Sequence, residues 1–370
     1  MSELHLLSAS CSEMGRRSSN DDAVLVDEEA GFYAVCDGTR GRFGGRTAGQ
    51  LAISAIQSRL AQLRPSLPDI IDSNARNLVD SLVSTAHAEI IAAQAADPEL
   101  AGMATTYASV MWRGHAVLVS HVGDTRIYIW RDGAVRQLTA DHNLEHYMRL
   151  NPQFKPKVKY PGKTLVRALG LKQAAPKVDH TQVTIQKDDL LLIATDGLTD
   201  ATPEVTLATI LSLIEINDIA EVARSLVRAA MNHGTMDNVS LIVLHVTDRP
   251  AEGPRTAVFE LDQSAQGRYL VLGWLVFLDE PHKGRVIPLD ASTVVGVDPG
   301  CKVRLPGDYI SARHAEILRT QHGFVLRDLG STNGTFINNI KVVDPHGLVD
   351  GDRVRMGRTE MIFKSYGQEG

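Results

Sequence analysis

Three apolar segments of the sequence each end in an aspartate, and this repeated pattern constrains the fold more than any other feature. They are AVCDG with Asp37, SHVGD with Asp124 and LLIATDG with Asp196. Apolar runs of this length that stop at glycine or aspartate are typical of buried β-strands. The pattern therefore predicts strands that each carry a carboxylate at the C-terminal tip.

The carboxylates at these tips favour a hard metal ion. The segments Asn20-Asp21-Asp22 and Asp237-Asn238 add further oxygen donors. Oxygen-only ligand sets suit Mg²⁺ or Mn²⁺ rather than zinc, and carboxylates brought close together repel one another unless a cation lies among them. A single Asp-Gly pair is also a common turn, and Asp132-Gly133 is predicted to be only the turn of a hairpin.

The pattern of secondary structure changes at residues 248–268, whose prolines, glycines and polar residues predict a linker. Residues 1–247 combine β-rich segments with helices at about 48–63, 69–96 and 218–232. Residues 269–370 contain only short strands between turns, as expected for a β-sandwich. The predicted fold class is α+β, with a mixed first domain and a separate all-β second domain.

The net charge, the apolar runs and the cysteines limit which partners and which cellular location we expect. The net charge is −6 with no long basic run, so we expect neither nucleic acid nor an anionic membrane as a partner. The longest apolar run, Tyr269 to Leu278, is about half a membrane span, which predicts a buried strand and no membrane insertion. Three scattered cysteines and an N-terminus without a signal-peptide pattern predict a cytoplasmic protein.

Six segments of the first 247 residues together resemble the metal-dependent protein serine/threonine phosphatases of the protein phosphatase 2C family. They are Arg17-Ser-Ser-Asn20-Asp21-Asp22, Val35-Cys-Asp37-Gly38, Gly102-Met-Ala-Thr105-Thr106, Gly123-Asp124-Thr-Arg126, Thr195-Asp196-Gly197-Leu-Thr-Asp200 and Asp237-Asn238-Val-Ser240. The resemblance covers roughly residues 5–247. It implies an α-β-β-α sandwich and hydrolysis of phosphoserine and phosphothreonine by a water that Mn²⁺ or Mg²⁺ activates.

The resemblance also implies a role for each matching residue. Asp37 would bridge two ions and the Gly38 carbonyl would bind one of them, with Asp196 and Asp237 completing the other. Asp21 and Asp22 would hold metal-bound waters, and Asp124 and Asp200 would suit a weaker third ion. Arg17 would bind the substrate phosphate. The predicted catalytic residues are Arg17, Asp37, Asp196 and Asp237.

Departures from the family pattern concern substrate choice. Asp21 stands where the family has glutamate, and Ala104 stands where it has glycine. After Gly38 the chain reads Thr39-Arg40-Gly41-Arg42 instead of Met-Gly-Gly-His. Arg40 and Arg42 are expected to select acidic or multiply phosphorylated substrates; alternatively, Arg42 and Arg46 are solvated or cap a helix. Residues 142–180 are expected to form a variable flap that selects substrates.

Residues 270–366 resemble a forkhead-associated (FHA) domain, a family of β-sandwiches that bind phosphothreonine peptides. The resemblance rests on Ser311-Ala-Arg313-His314, Asp328-Leu-Gly-Ser331-Thr332-Asn333-Gly334 and Gly351-Asp352-Arg-Val-Arg-Met-Gly357. It implies that Ser311, Thr332 and Asn333 contact the phosphopeptide, and that His314 orients the binding loops.

This second module lacks two polar contacts of its family. Val297 stands where an arginine usually meets the phosphopeptide, and Ala312 replaces an arginine or asparagine. Arg313, Lys302 and Arg304 are candidates for a substitute charge. Phosphothreonine binding, phosphate-independent binding and docking on the phosphatase domain all stay open.

Together these features predict a phosphatase that its FHA module recruits to phosphorylated proteins, with a serine/threonine kinase and its substrates as natural partners. One alternative is a catalytically weak scaffold whose FHA module binds a partner independently of phosphate; the full aspartate set argues against it. A two-metal nuclease would share the chemistry, but the basic surface expected for nucleic acid is missing.

Overall fold

The architecture comes from a computed structural model. It describes residues 3–39, 45–63, 73–154, 162–212, 219–248, 256–259, 272–279, 282–290, 292–305, 307, 309–320 and 323–366. The chain divides into two compact units, Met1–Asp262 and Gln263–Gly370.

The first unit combines long strands with helices. Its strands are β1 (His5–Glu13), β2 (Ala23–Asp27), β3 (Phe32–Cys36), β4 (Gly38–Thr39), β5 (Ala104–Thr105), β6 (Tyr107–Arg113), β7 (Ala116–Val122), β8 (Arg126–Arg131), β9 (Ala134–Gln137), β10 (Asp179–Thr184), β11 (Leu190–Ala194), β12 (Val239–Thr247) and β13 (Thr256–Phe259). Its α-helices are α1 (Gly45–Leu63), α2 (Ser73–Ala96), α3 (Leu144–Leu150), α4 (Asp196–Thr199), α5 (Glu204–Leu211) and α6 (Ile219–Asn232). A short 3₁₀ turn spans Pro98–Leu100.

Two sheets form the centre of this unit. One has the strand order β13-β1-β12-β11-β8-β9, and the other has the order β10-β7-β6-β3-β2. Aliphatic side chains from both sheets, such as Val35, Val119, Ile193 and Leu244, form one apolar core. A second core joins α1 and α2 to the outer face of the β2–β3 sheet, and α6 packs on β1 and β12. The expected α-β-β-α sandwich is confirmed.

The predicted helices correspond closely to α1, α2 and α6. The apolar spacing of three and four residues places Ala48, Ala52, Ile56 and Leu60 on one buried face of α1. The predicted start of α2 near residue 69 lies outside the described residues. Asp132-Gly133 forms the hairpin turn between β8 and β9, with both residues at positive φ (51° and 80°). Helices α3, α4 and α5 were not predicted, because they are too short for a clear period.

The second unit contains only strands among its described residues. They are β14 (Leu272–Phe277), β15 (Val286–Pro288), β16 (Ser292–Gly296), β17 (Val303–Arg304), β18 (Ala315–Thr320), β19 (Gly323–Asp328), β20 (Thr335–Ile337), β21 (Ile340–Lys341), β22 (His346–Leu348), β23 (Arg353–Met356) and β24 (Thr359–Tyr366). They form two sheets with the orders β15-β14-β24-β23-β20-β21 and β17-β16-β18-β19-β22. Leu275, Ile317, Phe324 and Phe363 lie in the apolar core of this sandwich.

The predicted linker, residues 248–268, includes ordered structure. Strand β13 lies within it and pairs in parallel with β1, from Ser8 opposite Thr256 to Cys11 opposite Phe259. The first compact unit accordingly runs to Asp262. The proposed domain limits of 1–247 and 269–370 stay a prediction. In the described part of the chain, no helix has the length and apolarity needed to span a membrane.

Candidate active site

Asp37 follows the last residue of β3, and two threonines fix its backbone. Its N–H donates to Thr106 Oγ1 at 2.9 Å, and its carbonyl accepts from Thr105 Oγ1 and the Thr106 N–H, each at 2.9 Å. The next residue, Gly38, pairs with Thr105 in the short β4–β5 ladder. These bonds hold the backbone of Asp37 in place at the strand tip.

Asp196 and Asp237 meet because a glycine allows their segments to touch. Asp196 is the first residue of α4, directly after β11, and Asp237 precedes β12. A Cβ at Gly197 would lie 1.9 Å from the carbonyl oxygen of Asn238. Only glycine fits at this contact, which explains the Asp-Gly pair in physical terms.

Asn238 connects the same region to the loop that carries the first motif. Its Oδ1 accepts from the Asp21 N–H at 2.9 Å, and its Nδ2 donates to the carbonyls of Met14 and Ser19 at 2.7 and 2.8 Å. The neighbouring Asp22 accepts from Thr195 Oγ1 at 3.1 Å. The loop of residues 14–21 is thereby held beside Asp196 and Asp237.

The buried carboxylates repel one another strongly. Burial raises the pKa of Asp37 well above its usual range, and the charges of Asp22, Asp196, Asp124 and Asp237 raise it further. Burial likewise raises the pKa of Asp22 to about 7, and raises that of Asp124 to about 7. Five predicted site aspartates therefore lie close enough to disfavour each other's charge, as expected where cations belong.

Arg17 is the basic residue of the first motif, and it lies among these acids. Its guanidinium donates to Asp237 Oδ2 at 2.5 Å. That hydrogen bond, with the charges of Asp237, Asp196 and Asp37, raises the arginine pKa. Its Nε–H is buried and has no hydrogen-bond partner within the described part of the chain. A donor of this kind is available for an oxyanion.

The residues present fit divalent cations. A Cβ at Gly45 would lie 2.7 Å from the Gly38 carbonyl oxygen and 2.9 Å from Asp21 Oδ2, so both oxygens border a space that a side chain would fill. Every nearby predicted donor is an oxygen, which suits Mg²⁺ or Mn²⁺. The carboxylates of Asp22, Asp37, Asp196 and Asp237 provide the negative charge.

A cleft of about 470 Å³ opens beside the cluster. Asp124, Asp196 and Asp200 line it together with Lys163 and Arg149. Asp200 is exposed, and its carboxylate forms an ion pair with the ammonium group of Lys163. The two predicted ligands of a third ion thus differ: Asp124 is buried, whereas Asp200 already has a cation as its partner.

Arg126 and Asp141 form a supporting ion pair that sequence reasoning missed. The Arg126 guanidinium binds the Asp141 carboxylate through Nε at 3.0 Å and Nη2 at 2.7 Å. Arg126 belongs to the Gly-Asp-Thr-Arg motif, which signalled its importance. Its partner is 15 positions away and carries no local signal.

His121, His142 and Asp179 form a second unpredicted group, with potential ligand atoms all within 4.8 Å of one another. However, His142 Nδ1 accepts from the Gly123 N–H at 3.1 Å, so its Nε2–H donates to Asp179 at 3.1 Å. The two rings stack at 4.5 Å and 18°, and parallel rings do not direct their lone pairs at one point. The group is a hydrogen-bonded support for the Gly123–Asp124 turn.

Arg40 and Arg42, which were expected to select substrates, lie outside the described residues. Arg46 is exposed in the first turn of α1. The predicted flap is described except for residues 155–161.

The binding loops of the second unit meet through Ser311 and His314. Ser311 Oγ accepts from the Thr332 N–H at 3.1 Å, and Asn333 Nδ2 donates to the Tyr309 carbonyl at 3.0 Å. The buried His314 receives the Ser311 N–H at Nδ1 (3.1 Å), and its Nε2 contacts the Gly334 carbonyl at 3.2 Å. Gly334 has a positive φ of 78°, which explains the glycine there.

The three candidates for a substitute charge differ in their surroundings. Arg304 is exposed, and its Nε donates to the carbonyl of Val297 at 3.2 Å. Val297 itself donates to the Ser311 carbonyl at 3.2 Å. Lys302 is paired with Asp290, whereas Arg313 is exposed. A guanidinium therefore lies against the backbone of Val297, the residue that stands where the family has an arginine.

An α-β-β-α sandwich whose strand tips gather carboxylates beside an arginine defines the class of metal-dependent protein phosphatases. The chain matches the family model Protein phosphatase 2C over residues 12–229 and belongs to that family. Residues 293–357 match the model of the FHA domain, so the second unit contains an FHA domain.

Known proteins similar to the chain are bacterial. The chain is 30% identical to the serine/threonine protein phosphatase PstP of Mycobacterium tuberculosis over 237 residues, 63% of this chain and 43% of PstP. It is 28% identical to the serine/threonine phosphatase stp of Listeria monocytogenes over 214 residues, 57% of this chain and 82% of the relative. The match thus spans less than half the length of PstP.

Solved structures show the same fold. The catalytic domain of PstP in complex with two manganese ions matches with a TM-score of 0.55 and 31% identity, covering 66% of this chain and 99% of that domain. The S. agalactiae serine/threonine phosphatase matches with a TM-score of 0.58 and 23% identity, covering 65% of this chain and 99% of that phosphatase. The second similarity supports the fold alone.

Proposed function

We propose that the chain is a metal-dependent protein serine/threonine phosphatase that hydrolyses phosphoserine and phosphothreonine. The convergence of four buried or half-buried aspartates around Asp37, beside Arg17, carries this proposal. Family membership and the similarity to PstP and stp support it.

The ions are proposed to be Mn²⁺ or Mg²⁺, in line with the two manganese ions in the PstP catalytic domain. Asp37 and the Gly38 carbonyl would hold them together with Asp196 and Asp237, and Asp21 and Asp22 would hold their waters. Bound ions of this kind supply a water of lowered pKa and neutralise charge on a phosphoryl group.

The protein side chains contribute binding and orientation. Arg17 would donate its unused Nε–H to the substrate phosphate, and a charged donor of this kind fixes both position and charge. Thr105 and Thr106 keep Asp37 rigid through its backbone. Asn238 keeps the loop of Arg17 beside Asp196 and Asp237.

The test compares Asp37→Asn with Asp132→Asn in hydrolysis of p-nitrophenyl phosphate and a phosphothreonine peptide with Mn²⁺. Asp132 is a matched control, because it lies in a hairpin turn at a φ of 51° that asparagine also tolerates. We expect kcat to fall at least ~100-fold in Asp37→Asn, since it loses a metal-binding charge worth several kcal/mol. Asp132→Asn should match the wild type.

If wild-type protein that is folded by circular dichroism shows no Mn²⁺-dependent turnover, the proposed phosphatase activity is refuted. That outcome would favour the scaffold alternative, in which the second module alone carries the function.

We propose that the FHA domain binds phosphothreonine peptides through Ser311, Arg313, Thr332 and Asn333, with Arg304 replacing the missing arginine. The hydrogen bond from Arg304 to Val297, next to the Ser311 loop, supports this assignment. The Val297 carbonyl engages the Nε–H of Arg304. The N–H groups at the end of the guanidinium can then donate to a phosphate. Tethering would then raise the local concentration of phosphoproteins near the first unit.

Calorimetry of the full chain with a phosphothreonine peptide library tests this proposal. Arg304→Ala should weaken binding by about tenfold or more, because hydrogen bonds to charged groups contribute ~1.5–3 kcal/mol. Arg319→Ala, near the opposite end of β18 from the Ser311 loop, is the control. Equal affinity for unphosphorylated peptides would favour phosphate-independent binding instead.

The proposed partners are phosphorylated proteins, including a serine/threonine kinase and its substrates. A cytoplasmic location is proposed because the sequence has only three scattered cysteines, which is typical of proteins from a reducing compartment.

A further inference from the structure

Lys163 places a positive charge in the cleft beside the carboxylate cluster. Its ammonium group forms an ion pair with Asp200 Oδ2. It also lines the same cleft as Asp124 and Asp196. The cation therefore lies among the acids of the cleft.

The backbone around Lys163 is held in place on both sides. The carbonyls of Gly162 and Thr164 accept the N–H groups of Glu145 and Leu144 at 2.7 and 2.8 Å. Further along the same segment, Leu169 exchanges two backbone hydrogen bonds with Thr105, at 2.9 and 3.0 Å. Thr105 is the residue that binds the carbonyl of Asp37. The lysine thus extends from a segment that is fastened to the catalytic strand tips.

An ammonium group at Asp200 competes with a divalent ion in two ways. It occupies a carboxylate oxygen that a metal would need as a ligand, and it repels any second cation at short distance. Asp124, the other predicted ligand, is buried and lies in the same cleft. The pair of Asp124 and Asp200 therefore does not fit a third divalent ion while Lys163 is in place.

We infer that Lys163 takes the place of the third metal ion, so that the chain binds two divalent ions and uses its own ammonium group as the remaining cation. This inference rests on the proposed function, because it assumes that the two-ion site around Asp37 is loaded. The lysine would also link the flap segment to the end of α4, where Asp200 lies.

The test counts Mn²⁺ ions bound per full-length chain, by electron paramagnetic resonance of free Mn²⁺ across a titration. The wild type and Lys163→Arg should each bind two ions. Lys163→Met, which keeps the length of the side chain but removes its charge, should bind a third ion more weakly. Adding Asp200→Asn to Lys163→Met should abolish that third ion.

Lys187→Met is the matched control, because Lys187 forms an ion pair with Asp248 at 3.0 Å at the other end of β11 and β12. It should bind two ions. A third ion in the wild type, or two ions in Lys163→Met, overturns the inference and leaves the proposed function intact. A wild type that binds no ion overturns both.

Discussion

At the scale of single residues, the surroundings of an aspartate decide its role. Asp37 and Asp132 both precede a glycine. Asp132 lies in a two-residue hairpin turn at positive φ, where any charge is solvated. Asp37 lies at a buried strand tip among four other aspartates, which raise its pKa. The Asp-Gly dipeptide alone does not distinguish the two roles. The ordered motifs predict which aspartates accompany Asp37, and the folded chain brings them together.

His142 shows how burial tunes a residue that supports the site. Burial, then the neighbouring His121 and Arg167, lower its pKa to about 4, although Asp179 opposes this effect. The neutral ring receives the Gly123 N–H and donates to Asp179. Protonation of Nδ1 would break the bond to Gly123 and place a charge in a buried position.

We predict that His142 stabilises the protein above about pH 6.5 and loses this contribution as the pH falls toward 4. A folded-state pKa of about 4 lies below the ordinary value of 6.5, so the unfolded chain binds more protons between these values. In urea unfolding of metal-free protein, the stability advantage of the wild type over His142→Asn should shrink by up to ~3 kcal/mol over that range. An advantage that stays constant from pH 7 to pH 4.5 would contradict the prediction.

At the scale of elements, the loop of residues 14–21 depends on one side chain from a distant segment. Asn238 makes three hydrogen bonds to this loop, at Met14, Ser19 and Asp21. The loop carries Arg17, so its position also fixes the proposed phosphate donor.

We predict that Asn238→Ala destabilises the protein by ~2–3 kcal/mol, because it removes three partly buried hydrogen bonds that contribute about 1 kcal/mol each. The same variant should raise KM for p-nitrophenyl phosphate, since Arg17 is no longer held in place. Urea unfolding and steady-state kinetics measure the two effects. The control is Asn151→Ala, which removes one exposed hydrogen bond to the Tyr147 carbonyl. It should change the stability and KM only slightly. Comparable losses in the two variants would show that Asn238 does not hold the loop.

Elements with a strong local period were predictable, and short ones were not. Helices α1, α2 and α6 have 19, 24 and 14 residues, so several turns repeat the apolar spacing. Helix α4 has four residues, too few to repeat a period. Gly197 lets this helix lie against the carbonyl of Asn238, which is a tertiary contact that no local period encodes.

At the scale of the whole molecule, the first compact unit runs to Asp262 and so includes part of the predicted linker. Strand β13 continues the sheet beside β1 through residues 256–259. The composition around β13 is typical of a linker, but β13 pairs with a strand of the first unit.

We predict that a chain ending at Asp262 keeps the thermal stability of the first unit, whereas one ending at Thr247 has a Tm lower by several degrees. The shorter chain exposes the hydrogen-bonding edge of β1, and ~1 kcal/mol lowers Tm by roughly 2–4 °C in a domain of this size. Differential scanning calorimetry of both chains measures the difference. Equal Tm values would show that β13 does not stabilise the sheet.

The class of fold, the two modules and the aspartates of the site were predictable before folding is considered, because strand patterns and ordered motifs are local. Which distant groups come into contact depends on how the chain folds. Three contacts illustrate this: Lys163 with Asp200, Arg126 with Asp141, and Arg304 with Val297. In each case the partners are separated in sequence, and no local pattern encodes the direction of the side chain. Chain folding sets these distances, and electrostatic interactions depend on distance rather than on sequence order.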